Sequence, residues 1–341
     1  MANTYKAVEV SEPGKFRVVE RPIAKPGPGQ VRLRVEACGV CHSDAATVTA
    51  VWPGLTLPRV PGHEVVGVIE DIGPGVSKWK VGQRVGVGFM GGEDGQCEQC
   101  QRGDFVNCSN PVIPGITTDG GYAELMIAEA RGLASIPDEL GSAEAAPLLC
   151  AGITTYNALR NAGLRAGDLV AIQGIGGLGH LGIQFARHMG FRTVAIARGG
   201  DKQKLASELG AHSYIDTDAE DAVTALQRMG GAKVILATAP SGAAMGVLVP
   251  GLAVRGKLVI VGVTEDPFQT GTYPLIFGGR SIQGSLTGSA ADGQDTLAFS
   301  VLAGIRPKIE CMSLDRAPEA YARMMEGKAR FRMVLVNGSR T

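Results

Sequence analysis

The sequence predicts an α/β chain of two domains, in which a mostly-β domain is interrupted by a doubly wound parallel-sheet domain and then resumed. Three observations carry this. As far as about residue 130, short alternating or β-branched runs stand between Gly and Pro turns, whereas after Ala151 apolar strands alternate with helical stretches. The closing run FRMVLV then returns to the first texture. At 341 residues the chain also exceeds a comfortable single core. The expected limits are 1–152 with 290–341 for the first domain and 153–289 for the second.

In the first domain, strands are expected at YKAVEV, QVRLRVEACGV, EVVGVIEDIG, QRVGVGF and YAELMIA. The second opens with LVAIQG (169–174), followed by a helix carrying Leu178, Leu181, Phe185 and Met189 at helical spacing. The alternation continues with TVAIA (193–197), a Lys- and Glu-bearing helix to Leu209, YID (214–216) and a helix near 219–229. VILATA (234–239), a helix after Gly242, KLVIVGV (257–263) and the further strand SIQGSL (281–286) complete it. Strands this apolar are buried on both faces, as in a parallel sheet with helices on either side. A helix over APEAYARMMEGKA precedes the final strand. The 49 glycines are dispersed as turn punctuation, which suits short strands and at least one backbone-to-ligand approach.

Hydrophobic residues make up 45% of the chain and charged residues 19%, which argues against disorder. Lys plus Arg and Asp plus Glu both total 33, so no global field draws nucleic acid or an anionic membrane, and phosphate recognition has to be local. The opening MANTYKAVEV lacks the features of a secretory signal, and no apolar run approaches the roughly 20 residues that cross a bilayer. The seven cysteines are therefore expected as thiols in a reducing cytoplasm, where clustering points to metal.

Two patterns carry chemistry. The first is Gly174-Ile-Gly176-Gly177-Leu178-Gly179, which follows a strand and opens a helix. In a Gly-rich chain the motif alone is weak, but this context makes it a dinucleotide loop of the Rossmann type. The first Gly permits the turn, the second lets the backbone approach a pyrophosphate, and the third allows close helix packing, with the helix N-terminus facing the anion.

The second pattern is a pair of cysteine and histidine constellations. Cys97-Glu-Gln-Cys100 followed by Cys108 is a compact thiolate lobe of the kind a structural zinc requires, and Asp94, three residues before Cys97, can supply a fourth ligand. Cys41-His42-Ser43-Asp44, Gly62-His63-Glu64 and Cys150 are dispersed. A catalytic zinc needs about three protein ligands and an open position, which a Cys2His set provides. Taken singly, Cys38 and Cys150 read as small buried hydrophobes and His63 as an ordinary hydrogen-bonded histidine.

GVCHSD (39–44), PGHE (61–64), the cysteine lobe, LLCAGITTY (148–156) and the glycine motif occur in one order, and together they resemble the zinc-containing medium-chain alcohol dehydrogenases. The likeness runs from the N-terminal strand to Arg332. It implies a GroES-like catalytic domain with a Rossmann cofactor domain, and reversible hydride transfer between an alcohol and NAD(P). By this resemblance Cys41, His63 and Cys150 are the catalytic zinc ligands, and Glu64 reaches the metal when the site is empty. Asp44 holds the His63 ring in its liganding tautomer. Ser43 takes the alcohol proton, Arg332 and His42 meet the pyrophosphate, and Phe89 and Trp52 line the substrate pocket. A homodimer or homotetramer is the family's usual state.

Two positions depart from the family. Asp94 stands where a fourth lobe cysteine is usual, and a carboxylate there binds zinc less tightly than a thiolate. Ala46 stands where histidine is frequent, so the proton is expected to leave through the cofactor ribose and water. A zinc-independent quinone or enoyl reductase of the same superfamily would not need Cys41, His63 and Cys150. A non-enzymatic zinc-lobe protein binding nucleic acid would need a basic patch, whereas Glu93, Asp94, Glu98 and Asp104 make the lobe acidic. For the cofactor, NAD sites place an acidic residue about 20 positions beyond the motif. Here that position is Gly199, flanked by Arg198 and followed by Lys202 and Lys204, so NADP is favoured over NAD, the alternative being that Asp201, two residues farther on, reaches the ribose.

Overall fold

In the computed structural model, which describes residues 4–338, the alternating runs near the start of the chain become strands in two layers. β1 (Thr4–Glu12) and β2 (Lys15–Pro22) form an antiparallel hairpin. β3 (Gln30–Val40), β4 (Val65–Ile72), β5 (Arg84–Val87), β6 (Leu125–Glu129) and β7 (Leu133–Ser135) form most of a larger, chiefly antiparallel sheet. Met1, Ala2 and Asn3 of the opening stretch lie outside the described residues, as do the last three of the chain.

The parallel sheet is built from β8 (Leu169–Gln173), β9 (Arg192–Ala197), β10 (Ser213–Asp216), β11 (Ala232–Ala237), β12 (Leu252–Ile260) and β13 (Ser281–Gly284). Its order is β10-β9-β8-β11-β12-β13, and every pairing is parallel. This is the doubly wound Rossmann order, whose strand direction of growth reverses between β8 and β11. All five residues of β8 are buried, because helices cover both sheet faces. Ala171, Val194, Ile196, Ile235 and Leu258 belong to one core around this sheet.

The chain then returns to the first sheet with β14 (Ile309–Ser313) and β15 (Arg332–Val336), giving the order β14-β15-β3-β4-β5-β7, with β6 on β3. The final strand pairs antiparallel with β3, Met333 opposite Val40. The chain thus divides into Met1–Ile153 with Gly288–Thr341, and Thr154–Thr287. Within the second unit, Thr154 Oγ1 donates to the Leu286 carbonyl at 3.4 Å and Asn157 Nδ2 to the Thr287 carbonyl at 2.9 Å, so its two ends are tied together.

Several elements have no counterpart among the expected ones: β2, β7, β14 and the helices Ser142–Pro147, Ile153–Arg160, Thr272–Gly278 and Ala290–Leu302. β2 is laced with Lys15, Arg17, Glu20 and Arg21, which blur its alternation, and none of its residues is fully buried. The helix Ala290–Leu302 buries Gly293, Thr296 and Ser300 beside a single leucine, Leu297. The hydroxyls of Thr296 and Ser300 donate to carbonyls four residues earlier, each at 2.7 Å, which satisfies them inside. Apolar periodicity is therefore hidden there. No helix among the described residues is long and apolar enough to cross a membrane.

Candidate active site and dinucleotide loop

Sheet register gathers the first site. Cys38 and Val87 both pair with Val65, so the segments that follow β3 and β5 and the one that precedes β4 meet at one end of the sheet. Cys41 follows β3, His63 and Glu64 precede β4, and Phe89 follows β5. Arg332, the first residue of β15, arrives at the same end. Cys150 comes from a single π-helical turn, Leu148–Gly152, a wide local geometry that recurs at functional sites.

The ligand atoms of Cys41, His63, Glu64 and Cys150 all lie within 4.8 Å of one another. The two sulfurs are 3.8 Å apart, which matches the ~3.8 Å edge of a tetrahedron with zinc–sulfur bonds of about 2.3 Å. His63 is buried, its Nδ1 lies 3.0 Å from Asp44 Oδ1, and its Nε2 has no hydrogen-bond partner among the described residues. An orphaned buried nitrogen is costly unless a ligand takes its lone pair. The donor set therefore fits zinc. Cys150 donating to Cys41 holds the Cys41 thiol well below its ordinary value, and the same bond together with burial raises Cys150.

Glu64 is fully buried and forms an ion pair with Arg332, itself 6% exposed. Burial pushes the Glu64 carboxyl up to about 7 against the pull of Arg332. A Cβ on Gly39 would come within 1.8 Å of Glu64 Oε2, so only glycine leaves room for this side chain. Ser43 is half-buried and His42 exposed on the turn His42–Asp44. Phe89 sets its ring edgewise to His63 at 5.2 Å and packs with Met90, Ile113 and Ile116, with Ala46 and Leu55 alongside. Trp52 is 37% exposed.

The lobe residues Asp94, Cys97, Cys100 and Cys108 form a second cluster with ligand atoms within the same 4.8 Å limit. Backbone N–H groups aim at its sulfurs: Ser109 at Cys97 (3.4 Å), and Asp94 and Asn110 at Cys108 (3.3 and 3.4 Å). Hydrogen bonds from Asn110, Cys97 and Gln96 hold the Asp94 carboxyl well below the usual range. Burial, then Cys97 and Cys108, push Cys100 up to about 12, so its proton leaves readily only for a cation.

In the second unit the glycine motif links β8 to the helix Gly179–His188. Gly174 has φ +91°, and a Cβ on Gly179 would sit 1.8 Å from the Gly174 carbonyl oxygen. A Cβ on Gly176 would meet nothing within 4 Å, so no protein atom demands glycine there. A cradle kept open beside a helix N-terminus fits a dinucleotide pyrophosphate. Gly177 and Leu178 complete the turn.

Past β9, Gly199 has φ +81°, donates its N–H to Asp216 Oδ1 at 2.8 Å and accepts from Tyr214 Oη at 2.6 Å. Arg198 is exposed, Lys202 Nζ donates to its carbonyl at 3.3 Å, and Asp201 Oδ1 lies 2.7 Å from where a Gly199 Cβ would stand. Sequence reasoning missed Asp216 and Tyr214, which lie one strand away, and Tyr122, considered below. The only local signal for Tyr122 is Gly120-Gly121 before an aromatic.

A GroES-like β unit that presents a Cys2His set, together with a Rossmann unit carrying an open glycine cradle, defines a medium-chain, zinc-type dehydrogenase. Family comparison agrees: residues 27–138 match the alcohol dehydrogenase GroES-like domain, and 177–301 match the zinc-binding dehydrogenase family. Alcohol dehydrogenase patD of Penicillium expansum is 43% identical over 334 residues, covering 98% of both chains. NADP-dependent alcohol dehydrogenase C 1 of Mycolicibacterium smegmatis is 34% identical, covering 99% of this chain and 98% of its own. A solved NAD-dependent alcohol dehydrogenase superposes with a TM-score of 0.91 at 27% identity, covering 98% of this chain and all of the other. This chain belongs to the zinc-containing medium-chain alcohol dehydrogenase family, and it is an oxidoreductase that interconverts alcohols with aldehydes or ketones using NAD(P).

Proposed function

We propose that Cys41, His63 and Cys150 hold the catalytic zinc, with Glu64 as a reserve ligand, and that Asp94, Cys97, Cys100 and Cys108 hold a structural one. The orphaned Nε2 of buried His63 carries the first assignment. When bound, the catalytic zinc supplies Lewis acidity at the alcohol oxygen, and the dinucleotide accepts the hydride. The chain's own residues do the rest. Asp44 fixes the His63 tautomer, Phe89 keeps the neighbourhood of that ring apolar, and Gly174 to Gly179 with the following helix N-terminus receive the pyrophosphate. By the family likeness His42 and Arg332 are assigned to the dinucleotide and Trp52 to the lining of the substrate pocket; here the Arg332 guanidinium is buried and ion-paired with Glu64. Turnover of a panel of alcohols and carbonyls by the zinc-loaded chain tests the assignment, and activity unchanged after metal removal would refute it.

Ser43 Oγ would take the alcohol proton, and since Ala46 offers no outer base, a bound cofactor's ribose and water would have to carry it onward. Ser43→Ala is expected to lower kcat for alcohol oxidation by about 10²-fold or more, with dinucleotide affinity little changed. Stopped-flow and binding titrations separate the two, and an unaltered rate and pH profile would remove Ser43 from the path.

We further propose NADP as the preferred cofactor. Arg198 supports this: it is exposed and makes no ion pair among the described residues, leaving its guanidinium for a 2′-phosphate. Asp201 favours the opposite reading, because its carboxylate against Gly199 suits a ribose diol. Gly199→Asp is a poor probe, since a side chain at φ +81° is strained and meets Asp201. Arg198→Ala is expected to reduce kcat/KM for NADPH about tenfold relative to NADH. A parent that already prefers NADH by tenfold would decide for Asp201.

The chain also carries exposed Tyr273, Ile276 and Phe277 on the helix Thr272–Gly278, just before the sheet-edge strand β13, which supports a homodimer or homotetramer. Light scattering reads this directly, and a monomer at micromolar concentration would refute it. Seven free thiols suit a reducing cytoplasm, which cell fractionation would test.

A further inference from the structure

Tyr122 is among the largest fully buried side chains, at 0% exposure, and it carries a hydroxyl into the interior. That hydroxyl donates to Asp44 Oδ2 at 2.9 Å. The same carboxylate oxygen accepts the Cys41 N–H at 2.9 Å, while Oδ1 faces His63 Nδ1 at 3.0 Å. Asp44, 2% exposed, is therefore a buried carboxylate held from one side by Cys41 and Tyr122 and presenting its other oxygen to His63.

The backbone around Tyr122 is tied to the segment that carries His63. Gly120 N donates to the Val60 carbonyl (2.8 Å), Tyr122 N to Pro61 (3.0 Å) and Gly121 N to Gly62 (3.0 Å). A Cβ on Gly62 would stand 2.6 Å from Tyr122 Cδ1, so the ring presses directly on the residue before His63. One residue thus steadies both supports of the imidazole, its chain segment and its carboxylate partner.

We propose that Tyr122 is a positioning residue of the metal centre: through Asp44 it sets the orientation of His63 toward the ion held with Cys41 and Cys150. The proposal rests on the assignment of that cluster as the catalytic metal site. Removing the hydroxyl takes one of the donors from a buried carboxylate. Asp44 then turns toward the donors that remain, and its hold on His63 Nδ1 loosens. Outer partners of metal-bound histidines typically govern affinity by about 10–100-fold. Acting one bond farther out, Tyr122 is expected to fall near the lower end.

The test is a double-mutant cycle on the full chain with Tyr122→Phe, Asp44→Asn and the pair, using Co2+ as the probe. Competition with a chelator gives Co2+ affinity at the Cys41 cluster, and the visible ligand-field bands report its geometry. Cys41→Ala identifies which bands belong to that cluster. Tyr122→Phe keeps the ring and is expected to weaken Co2+ binding about tenfold and to shift those bands. In the Asp44→Asn background the same change is expected to have little further effect. Equal losses in both backgrounds would make Tyr122 a packing residue only, and unchanged affinity and spectrum would likewise overturn the proposal. Parent protein without Cys41-dependent bands would instead bring down the metal assignment itself, and this role with it.

Discussion

Alanine at Cys41, His63 or Cys150 is expected to reduce turnover by about 10³-fold or more in each case, while the chain stays folded and still binds dinucleotide. The three residues come from the end of β3, the approach to β4 and the π-helical turn Leu148–Gly152, and the proposed ion is the one role they would share. A Lewis acid at the reacting oxygen is worth several kcal/mol of transition-state stabilisation, which converts to a factor of this size. Two ligands rarely retain what three hold. The glycine cradle lies in the other unit, so dinucleotide binding measured by fluorescence serves as the internal control. A variant shown to lack zinc at this cluster, yet turning over at a near-normal kcat, would disprove the assignment.

Loss of the lobe metal is expected to act on stability before chemistry. Cys97→Ser, or exhaustive chelation, should cost roughly 3 kcal/mol or more and lower Tm by about 5–10 °C, because the proposed metal would fasten a segment with little apolar core of its own. Cys97 to Cys108 holds only short helical turns, Glu98–Gln101 and Phe105–Asn107, and of these Phe105 is 41% exposed. Asp94→Cys is expected to retain zinc more tightly at equal chelator. Calorimetry with metal analysis distinguishes the outcomes: one zinc per chain with no change in Tm for Cys97→Ser would refute the second site.

Much of this was legible because local spacing and chemistry coincide. The Rossmann strands are short apolar runs between turn signals, and the glycine motif needs both a preceding strand and a following helix, which LVAIQ and Gly179–His188 provide. Cys97, Cys100 and Cys108 declare themselves within twelve residues. By contrast, Cys41, His63 and Cys150 are far apart, and only a likeness to known enzymes joined them before register did so physically. The partners of Asp44 show what was out of reach. Tyr122 lies 78 residues from Asp44, and no periodicity links an aromatic after two glycines to a carboxylate on another strand's end. At Gly199 itself the sequence shows no acid, with Asp201 two residues on, and folding adds Asp216 from the neighbouring strand, which no spacing along the chain announces.

The clasp between Thr154 and Leu286 and between Asn157 and Thr287 bears on how such enzymes diversify. A segment whose entry and exit are fastened to each other is a cassette: it can be lifted out at two neighbouring joints without opening its own sheet. Recombination at those joints would exchange the whole glycine-motif unit, and with it Arg198 and Asp201, while Cys41, His63 and Cys150 would stay with the other unit. Reducing currency and chemical reaction can then be inherited separately, since the residues that would choose NADPH or NADH and those that would handle the alcohol lie on opposite sides of the same two peptide crossings.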